Sequence, residues 1–256
     1  MRKTADAWEQ VARDFAKMVE IDAHRKFILM PALERMLKHS FQNMEGITGK
    51  QVFDAGCGDG GIARYISEHG GQVLACDFSE NMIGQAKRKT NTNSKIKYEK
   101  IDLTKPLPYP TDLFDLIISS LVLMDMPYVK KPLRELSRIL KTNGEIIIAI
   151  SHPSYTVPFV KISRTLTDKM LGKEAVINFI EYPAFKRVEK KIAGLRATTP
   201  YFHRRLSFYF NAISAAGFRI CETSEPLLAK RYKKLLPHLA HATKIPVFFI
   251  LRAQKV

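Results

Sequence analysis

Apolar residues recur with two different periods along this chain of 256 residues. Within residues 5–19 they repeat every three or four positions and form one helical stripe: Trp8, Val11, Ala12, Phe15 and Val19. A second helix is predicted over residues 22–39, with a bend at Pro31. Residues 1–45 therefore predict a helical segment, which we expect to close over the binding site as a lid.

From Gln51 onward, short apolar runs alternate with helical patterns. The runs predict five strands, which cover residues 51–55, 72–77, 95–102, 114–123 and 144–151. Because helical patterns separate these strands, right-handed crossovers and a parallel sheet with helices on both faces are expected. Residues 46–151 are thus predicted to be the core of a doubly wound α/β domain.

The alternation stops after Ser151. Residues 152–203 are rich in aromatic and basic residues and are predicted to be an insertion that caps the pocket. Residues 204–256 then predict a helix, a strand, a basic amphipathic helix from Pro226 and a closing strand. We interpret the four segments as parts of one domain.

Composition narrows the class of protein. The N-terminal stretch lacks the apolar run of a secretory signal, and no run of about 18 apolar residues predicts a transmembrane helix. The three cysteines, Cys57, Cys76 and Cys221, have no metal-ligand spacing, so no metal site is predicted. An odd number of cysteines without a disulfide pattern favours a reduced, cytoplasmic location.

The charge is uneven. The chain carries a formal net charge of +16, of which residues 1–150 contribute +3 and residues 151–256 contribute +13. A basic C-terminal part is typical of proteins that meet an anionic substrate, RNA or an acidic membrane, although it can also serve solubility alone.

The stretch VFDAGCGDGG, residues 52–61, carries the chemistry. Its glycines match the dinucleotide-binding pattern G-x-G-x-x-G, which alone is a weak signal. A dinucleotide places a pyrophosphate at such a turn, and Asp54 and Asp59 would repel it. S-adenosylmethionine has no phosphate and carries an ammonium and a sulfonium. A unit charge pair at about 4 Å contributes on the order of 4 kcal/mol at intermediate dielectric, so the sign of the charge favours S-adenosylmethionine.

Further acids end the next two strands. Asp77 is placed to accept hydrogen bonds from ribose hydroxyls, and Asp102 from an adenine amino group. Phe78 and Met82 are placed to cover a purine face. Since ligands of open α/β sheets bind at the carboxyl ends of the strands, the acids and the glycine loop together predict a nucleoside site.

The sequence resembles class I S-adenosylmethionine-dependent methyltransferases, and within them the small-molecule subgroup that includes quinone-biosynthesis enzymes. The motifs are VFDAGCGDGG, VLACDFSENMIGQAK, IDLTKPLPYPTDLFDLIISSLVLMDM and LKTNGEIIIAIS. The resemblance covers residues 50–151 and returns at YFHRRLSFYFNAISAAGFRI. It implies a Rossmann-like, mostly parallel seven-stranded sheet with an antiparallel last strand.

The resemblance also implies roles for individual residues. The methionine end of the cofactor would be held by Asp54 and by the backbone of Gly56, Cys57 and Gly58. The nucleoside and its surroundings would involve Asp77, Phe78, Met82, Asp102, Leu103 and Ser119. Arg25 resembles an arginine that pairs with the cofactor carboxylate in some relatives; a solvated helix face is the alternative. Many relatives carry a histidine where this chain reads LVLMDM, so that role does not transfer to Met124 or Asp125.

Methyl transfer needs alignment, and a base only where the acceptor must lose a proton. His152, directly after the fifth strand, is the first candidate for that base, and His203 is the second. Aromatic residues of the insertion suit an apolar or aromatic acceptor, while Arg204 and Arg205 suit a carboxylate or phosphate. The predicted function is therefore methylation of a small anionic or aromatic molecule.

Other functions remain open at this point. The basic C-terminal part suits an RNA methyltransferase, although no RNA-binding module is recognisable. A nicotinamide-dependent oxidoreductase is disfavoured by the loop carboxylates, and a catalytically silent S-adenosylmethionine-binding protein leaves no distinguishing sequence signal. A helix over residues 226–241 would place leucines opposite lysines, as on an acidic membrane surface.

Overall fold

A computed structural model of the protein describes residues 2–92, 94–156, 158–163, 176–191 and 197–256. The insertion predicted as a cap falls partly on residues 164–175 and 192–196, which lie outside this set. No helix among the described residues has the length and apolar character needed to cross a membrane.

The helices are α1 (Arg2–Ile21), α2 (Met30–Phe41), α3 (Gly61–Glu68), α4 (Glu80–Arg88), α5 (Lys130–Ile139) and α6 (Leu206–Ser214). A π-helical turn over Arg25–Leu29 leads into α2, and Pro31 lies in the first turn of α2. At this position a helix does not need the N–H group that proline lacks. The single helix predicted for residues 22–39 is therefore observed as a π-helical turn followed by the α-helix α2.

The core strands are β1 (Gln51–Ala55), β2 (Gln72–Asp77), β3 (Ile96–Lys100), β4 (Phe114–Ser120) and β5 (Leu140–Ser151). The insertion adds β6 (Val160–Ser163), β7 (Val176–Phe179), β8 (Phe185–Lys191) and β9 (Thr198–Arg204). The chain closes with β10 (Phe218–Ser224) and β11 (Phe248–Lys255).

Seven strands form one sheet in the order β10-β11-β5-β4-β1-β2-β3. The β1, β2, β3, β4 and β5 strands pair in parallel, while β11 runs antiparallel to both β5 and β10. This confirms the predicted mostly parallel α/β sheet with an antiparallel last strand. The order reverses between β1 and its neighbours β4 and β2, and such a switch point opens a crevice at the carboxyl ends of the strands.

Side chains of the central strands point alternately to the two faces of the sheet, and a hydrophobic core lies on each face. Phe53 packs with α5 and α6 on one face, while the adjacent Val52 packs with α2 and α3 on the other. The same alternation holds for Ile146 and Ile147 of β5. Because both faces are buried, these strands read as continuous apolar runs rather than alternating ones.

The insertion forms two antiparallel hairpins, β6–β7 and β8–β9, which lie outside the main sheet. The β9 strand contacts both α1 and the turn after β4, so the second hairpin covers the carboxyl end of the sheet. Tyr201 is buried in the core on one face of the sheet and Phe202 is buried as well, whereas Phe179 and Phe185 remain more than half exposed.

The basic amphipathic helix predicted from Pro226 is wrong. The segment instead forms two 3-10 turns, Lys230–Tyr232 and Pro237–Thr243. Four like charges (Lys230, Arg231, Lys233 and Lys234) would have faced one another three or four positions apart in a helix, which is destabilising. Leu228 and Leu239 are buried in the core while Leu235 is 75% exposed, so the leucines do not form one membrane-facing stripe.

Helix α1 is fastened to α4 at both ends. Near its start, the Glu9 carboxylate accepts hydrogen bonds from the Ser79 hydroxyl and from the Asn81 amide. Toward its end, Lys89 Nζ donates to the Ala16 carbonyl at 2.7 Å and lies 2.8 Å from Glu20 Oε1 and 3.0 Å from Asp59 Oδ2. One lysine therefore ties α1, α4 and the glycine loop together.

We expect Lys89→Met to loosen α1. Loss of the charged hydrogen bonds leaves the buried Asp59 carboxylate with only the more distant Arg64, and amide hydrogen exchange of α1 should become about tenfold faster, equivalent to about 1.4 kcal/mol. Lys87→Met, an exposed lysine of the same helix, is the matched control. Equal exchange rates in the two variants would show that Lys89 does not hold α1.

Candidate functional site

A cavity of about 1210 Å³ opens at the switch point of the sheet. The carboxyl ends of β1, β2 and β4 form its floor, α1 and the π-helical turn lie over it, and the β8–β9 hairpin closes the far side. Phe15 of α1 packs against the glycine loop, so the helix covers the loop directly.

The glycine loop is shaped by backbone conformations that other residues rarely adopt. Gly56, Gly58 and Gly60 all have positive φ angles, of 84°, 54° and 78°. A Cβ on Gly56 would lie 2.4 Å from Cγ2 of Val122, so the loop packs against the segment after β4. Glycine is therefore required at Gly56 for both conformation and space.

Three amide donors of this loop are already used. The amides of Gly56 and Cys57 both donate to the Cys76 carbonyl at 2.8 Å, and the Gly58 amide donates to Asp77 Oδ2 at 3.0 Å. A pyrophosphate needs such donors, so it could bind at these three residues only if those hydrogen bonds broke. This argument against a dinucleotide is independent of the loop's charge.

Asp54 is the most unusual group in the cavity. Its side chain is buried, and neither carboxylate oxygen has a partner at hydrogen-bonding distance and angle among the described residues. Burial, with a contribution from the charge of Asp77, raises its pKa to about 7, while the charge of Arg25 and the nearby backbone amide of Ala63 act in the opposite direction. A buried acceptor without a partner is costly, so the site is built for a donor that comes with a ligand.

Asp77 lies at the end of β2, beside Asp54. One oxygen accepts from the Gly58 amide and the other from the Ser79 amide, each at 3.0 Å, which fixes the plane of the carboxylate. Burial raises the pKa of Asp77 to about 6 despite these hydrogen bonds. Each oxygen keeps a lone pair, as bidentate recognition of a diol requires.

The next part of the cavity suits a flat ring with a polar edge. Phe78, Met82 and Leu103 line it, and Met82 is almost fully buried at the start of α4. Asp102 Oδ1 accepts from the Thr104 amide at 2.9 Å and from its hydroxyl at 2.6 Å. Asp102 lines the same part of the cavity.

Comparison with known proteins gives a consistent result. Residues 53–148 match the model of a methyltransferase domain family. A demethylmenaquinone methyltransferase from Lactococcus lactis is 29% identical over 70% of this chain and 72% of its own. A malonyl-[acyl-carrier protein] O-methyltransferase from Buchnera aphidicola is 32% identical over 64% of this chain and 61% of its own.

The fold is shared as well. A crystal structure of an S-adenosylmethionine-dependent methyltransferase from Mesorhizobium loti superposes with a TM-score of 0.71 at 27% identity, over 88% of this chain and 96% of that chain. These findings confirm the resemblance to class I S-adenosylmethionine-dependent methyltransferases and to their small-molecule subgroup. The matches to curated relatives span between 36% and 72% of the relative's length.

The residues at this end of the cavity fit S-adenosylmethionine. The ammonium of S-adenosylmethionine matches the unpartnered oxygens of Asp54, and the ribose diol matches Asp77. Arg25 lines the same end of the cavity, with its guanidinium 6.0 Å from the Phe15 ring. Cys57 also lines it, and burial raises the pKa of its thiol, which therefore stays neutral.

Two sequence-based interpretations, of Ser119 on β4 and of Asp59 in the glycine loop, need correction. Ser119 does not line the cavity: it is fully buried on the opposite face of β4, and Ser120 with Leu121 forms the wall instead. Asp59 does not face the cavity either, since its carboxylate pairs with Lys89 at 3.0 Å and lies 3.8 Å from Arg64. The negative charge near the cofactor thus comes from Asp54 and Asp77.

The candidate bases His152 and His203 do not line the cavity. Nδ1 of His152 accepts from the Ser154 amide at 3.2 Å, so its proton is on Nε2, which donates to Glu225 at 2.7 Å. Burial lowers the pKa of His152. His203 is fully buried with Nε2 3.1 Å from the Pro153 carbonyl. Both rings hold the turn after β5 in place, and neither is positioned to act as a catalytic base.

The proposed anion-binding arginines also have structural roles. Arg204 is buried and donates to four backbone carbonyls: those of Leu123, Met126, Pro127 and Phe202. It thereby fixes the segment after β4 against β9. Arg205 is exposed and donates to the Tyr182 carbonyl at 2.9 Å. Neither guanidinium lines the cavity.

Sequence reasoning missed two charged residues at the far end of the cavity, Asp125 and Lys190. Burial raises the pKa of Asp125 to about 8 and lowers the pKa of Lys190. Asp125 stands in the LVLMDM stretch, where an acid after an apolar run at a strand end was a usable signal. Lys190 lies in a hairpin that no motif marks, so nothing in the sequence indicated it.

We expect Asp54→Asn to weaken the binding of S-adenosylhomocysteine by about 10- to 150-fold. A charge-assisted hydrogen bond contributes about 1.5–3 kcal/mol, and the product keeps the cofactor's ammonium. In the wild type, affinity should rise with pH toward about 7, because Asp54 must lose its proton to pair with that ammonium. Calorimetry at pH 5.5–8 checks both effects, and an unchanged pH dependence in Asp54→Asn would contradict them.

The same substitution should stabilise the protein without ligand. Since the folded state raises the pKa of Asp54, it holds this proton more tightly than the unfolded chain, and stability falls as pH rises from about 4 to 7. At pH 8 we expect Asp54→Asn to raise the free energy of unfolding by about 2–4 kcal/mol. Urea denaturation measures this. Asp112→Asn, at a left-handed position that asparagine tolerates, is the control.

Proposed function

We propose that this protein transfers the methyl group of S-adenosylmethionine to a small, mainly apolar or aromatic acceptor bound at the far end of the cavity. The observation that carries the proposal is the pair of buried, unpartnered oxygens of Asp54 beside a loop whose amides are used internally. That combination favours a cationic amino-acid ligand over a phosphate.

In this proposal the near end of the cavity holds the cofactor. Asp54 and Arg25 bind its amino-acid end, Asp77 binds the ribose, and Asp102 binds the adenine edge. Phe78, Met82 and Leu103 enclose the purine ring. Backbone atoms of Gly56, Cys57 and Gly58 approach the methionine portion closely, which the absence of side chains at the glycines permits.

When bound, the cofactor supplies an electrophilic methyl group on a sulfonium. The protein contributes position and exclusion of water, and correct alignment alone contributes roughly 7–11 kcal/mol to such reactions. Helix α1 covers the glycine loop through Phe15, and its ties to α4 keep it there. Opening of α1 gives the cofactor a route in and out.

The far end of the cavity defines the acceptor. Its walls are mostly apolar or aromatic: Met124, Met126, Pro127, Tyr155, Tyr201 and Phe248. Of the relatives, one is named for a quinone substrate and one for an acyl carrier protein. The aromatic walls, with no free arginine among the described lining residues at this end, favour a ring over a phosphopantetheine-linked acid.

Calorimetry and a transfer assay test this function. We expect S-adenosylhomocysteine to bind with micromolar or tighter affinity and NAD to bind at least 100-fold more weakly. With methyl-labelled S-adenosylmethionine, label should move into apolar small molecules such as dihydroxynaphthalenes. Transfer into RNA instead would establish the alternative function, and tight NAD binding without any heat from S-adenosylhomocysteine would refute the proposal. Cofactor binding without transfer to any acceptor would indicate a silent binding protein.

A further inference from the structure

We propose that Asp125 and Lys190 form the acceptor-activating pair of this site and that the acceptor is a phenol or enol. Asp125 takes the hydroxyl proton, and Lys190 stabilises the oxyanion that remains. This inference rests on the proposed methyl-transfer function and assigns a chemistry to the far end of its cavity.

Asp125 ends the short turn Leu123–Asp125, directly after β4 at the switch point. Its side chain lines the cavity and accepts no hydrogen bond from any described residue. The neighbours Met124 and Met126 are apolar and buried. A carboxyl group held without a partner in such surroundings costs free energy, which a hydroxyl ligand would recover by donating to it.

Lys190 reaches the same space from the opposite wall, on β8 of the cap hairpin. Its Nζ lies 4.9 Å from the centroid of the Tyr201 ring, and it forms no ion pair with a described carboxylate. The charges of Asp125 and Lys190 each affect the pKa of the other residue, although the two are not in direct contact. Both side chains therefore line the same cavity without forming an ion pair.

Other ionisable groups near Asp125 do not compete for this role. Tyr201 on β9 and Tyr209 on α6 both have pKa values raised by burial and stay neutral. Arg204 on β9 is engaged with backbone carbonyls. Lys191 and His238 also line the cavity, but the charges that act directly on each other there are those of Asp125 and Lys190.

The step balances as a simple proton transfer. The O–H bond of the acceptor breaks, the proton moves to the Asp125 carboxylate, and the electron pair stays on the acceptor oxygen as an oxyanion beside the Lys190 ammonium. The electron-rich acceptor is then the nucleophile for methyl transfer. Asp125 must start in its anionic form, and the positive charges of Lys190 and of the cofactor favour that form.

A carboxylate acceptor fits this pair less well. It needs no base, and Asp125 would repel it at the point where Lys190 attracts it. A hydrocarbon ring without a hydroxyl would leave both charged groups unpaired in an apolar cavity. A weakly acidic hydroxyl satisfies both groups at once, and the aromatic walls at Tyr155 and Tyr201 suit the ring that carries it.

The first test reads the ionisation of a bound probe without cofactor. 4-Nitrophenol changes its absorbance when it ionises, so its pKa on the protein can be titrated directly. Relative to wild type, Lys190→Met should raise the pKa of the bound probe, since a cation is lost, and Asp125→Asn should lower it, since a competing anion is lost. Lys186→Met, an exposed lysine on the same strand, is the control and should shift neither.

The outcomes are distinct. Opposite shifts in the two variants support the pair. A probe that does not bind the wild type, or that has the same pKa in all proteins, would overturn the inference, because a purely structural role for either residue predicts no such signs.

The second test separates this inference from the proposed function. With an acceptor found in the transfer assay, we expect Asp125→Asn to lower kcat roughly 10²- to 10⁴-fold and to remove the rise of the wild-type rate with pH, while S-adenosylhomocysteine binds as before. Asp125→Glu should recover part of the rate. If Asp125→Asn transfers methyl groups at the wild-type rate at every pH, the pair is not the activator although the protein is a methyltransferase. Loss of S-adenosylhomocysteine binding in the wild type would instead refute the proposed function.

Discussion

The structure depends on one electrostatic constraint: a carboxylate, Asp54, is buried at the carboxyl end of the central strand without a hydrogen-bond partner among the described residues. Both flanking strands, β2 and β4, pair with β1 along its length, so the backbone cannot move to expose this group. The cost of burying it appears as a pKa raised to about 7. Such a group is tolerated where a ligand supplies the missing positive charge.

The sequence correctly predicted negative charge beside the loop, but one of its assumed sources, Asp59, lies elsewhere. Asp59 neutralises Lys89 and holds α1, while Asp77 brings the second carboxylate close to Asp54 from the neighbouring strand. The internal use of the amides of Gly56, Cys57 and Gly58 adds a second reason why a phosphate is excluded. Hydrogen bonds of this kind depend on how β1 and β2 align, which the sequence does not display.

The sheet and the near half of the cavity could be predicted because their signals are local. Acids stand at the ends of β1 and β2 and directly after β3, and parallel strands bring those ends to one edge. In the far half the aromatic character of the insertion could be predicted, but the meeting of Asp125 with Lys190 could not, because it brings together the turn after β4 and the cap hairpin. His152 and His203 have the right chemistry and follow the right elements, yet both are used to hold the chain after β5.

The cofactor half and the acceptor half of the cavity are built from different parts of the fold. The cofactor half is fixed by the backbone of the sheet and by a loop that glycine alone can form, so it varies little in shape whatever the acceptor is. The acceptor half is built on a hairpin outside the sheet and is held against the β4 end by Arg204, whose hydrogen bonds go to backbone carbonyls and not to particular side chains. Side chains on that hairpin can therefore change without disturbing the cofactor site. For this reason the charged pair of Asp125 and Lys190 is better evidence about the acceptor than the names of relatives whose similarity is centred on the sheet.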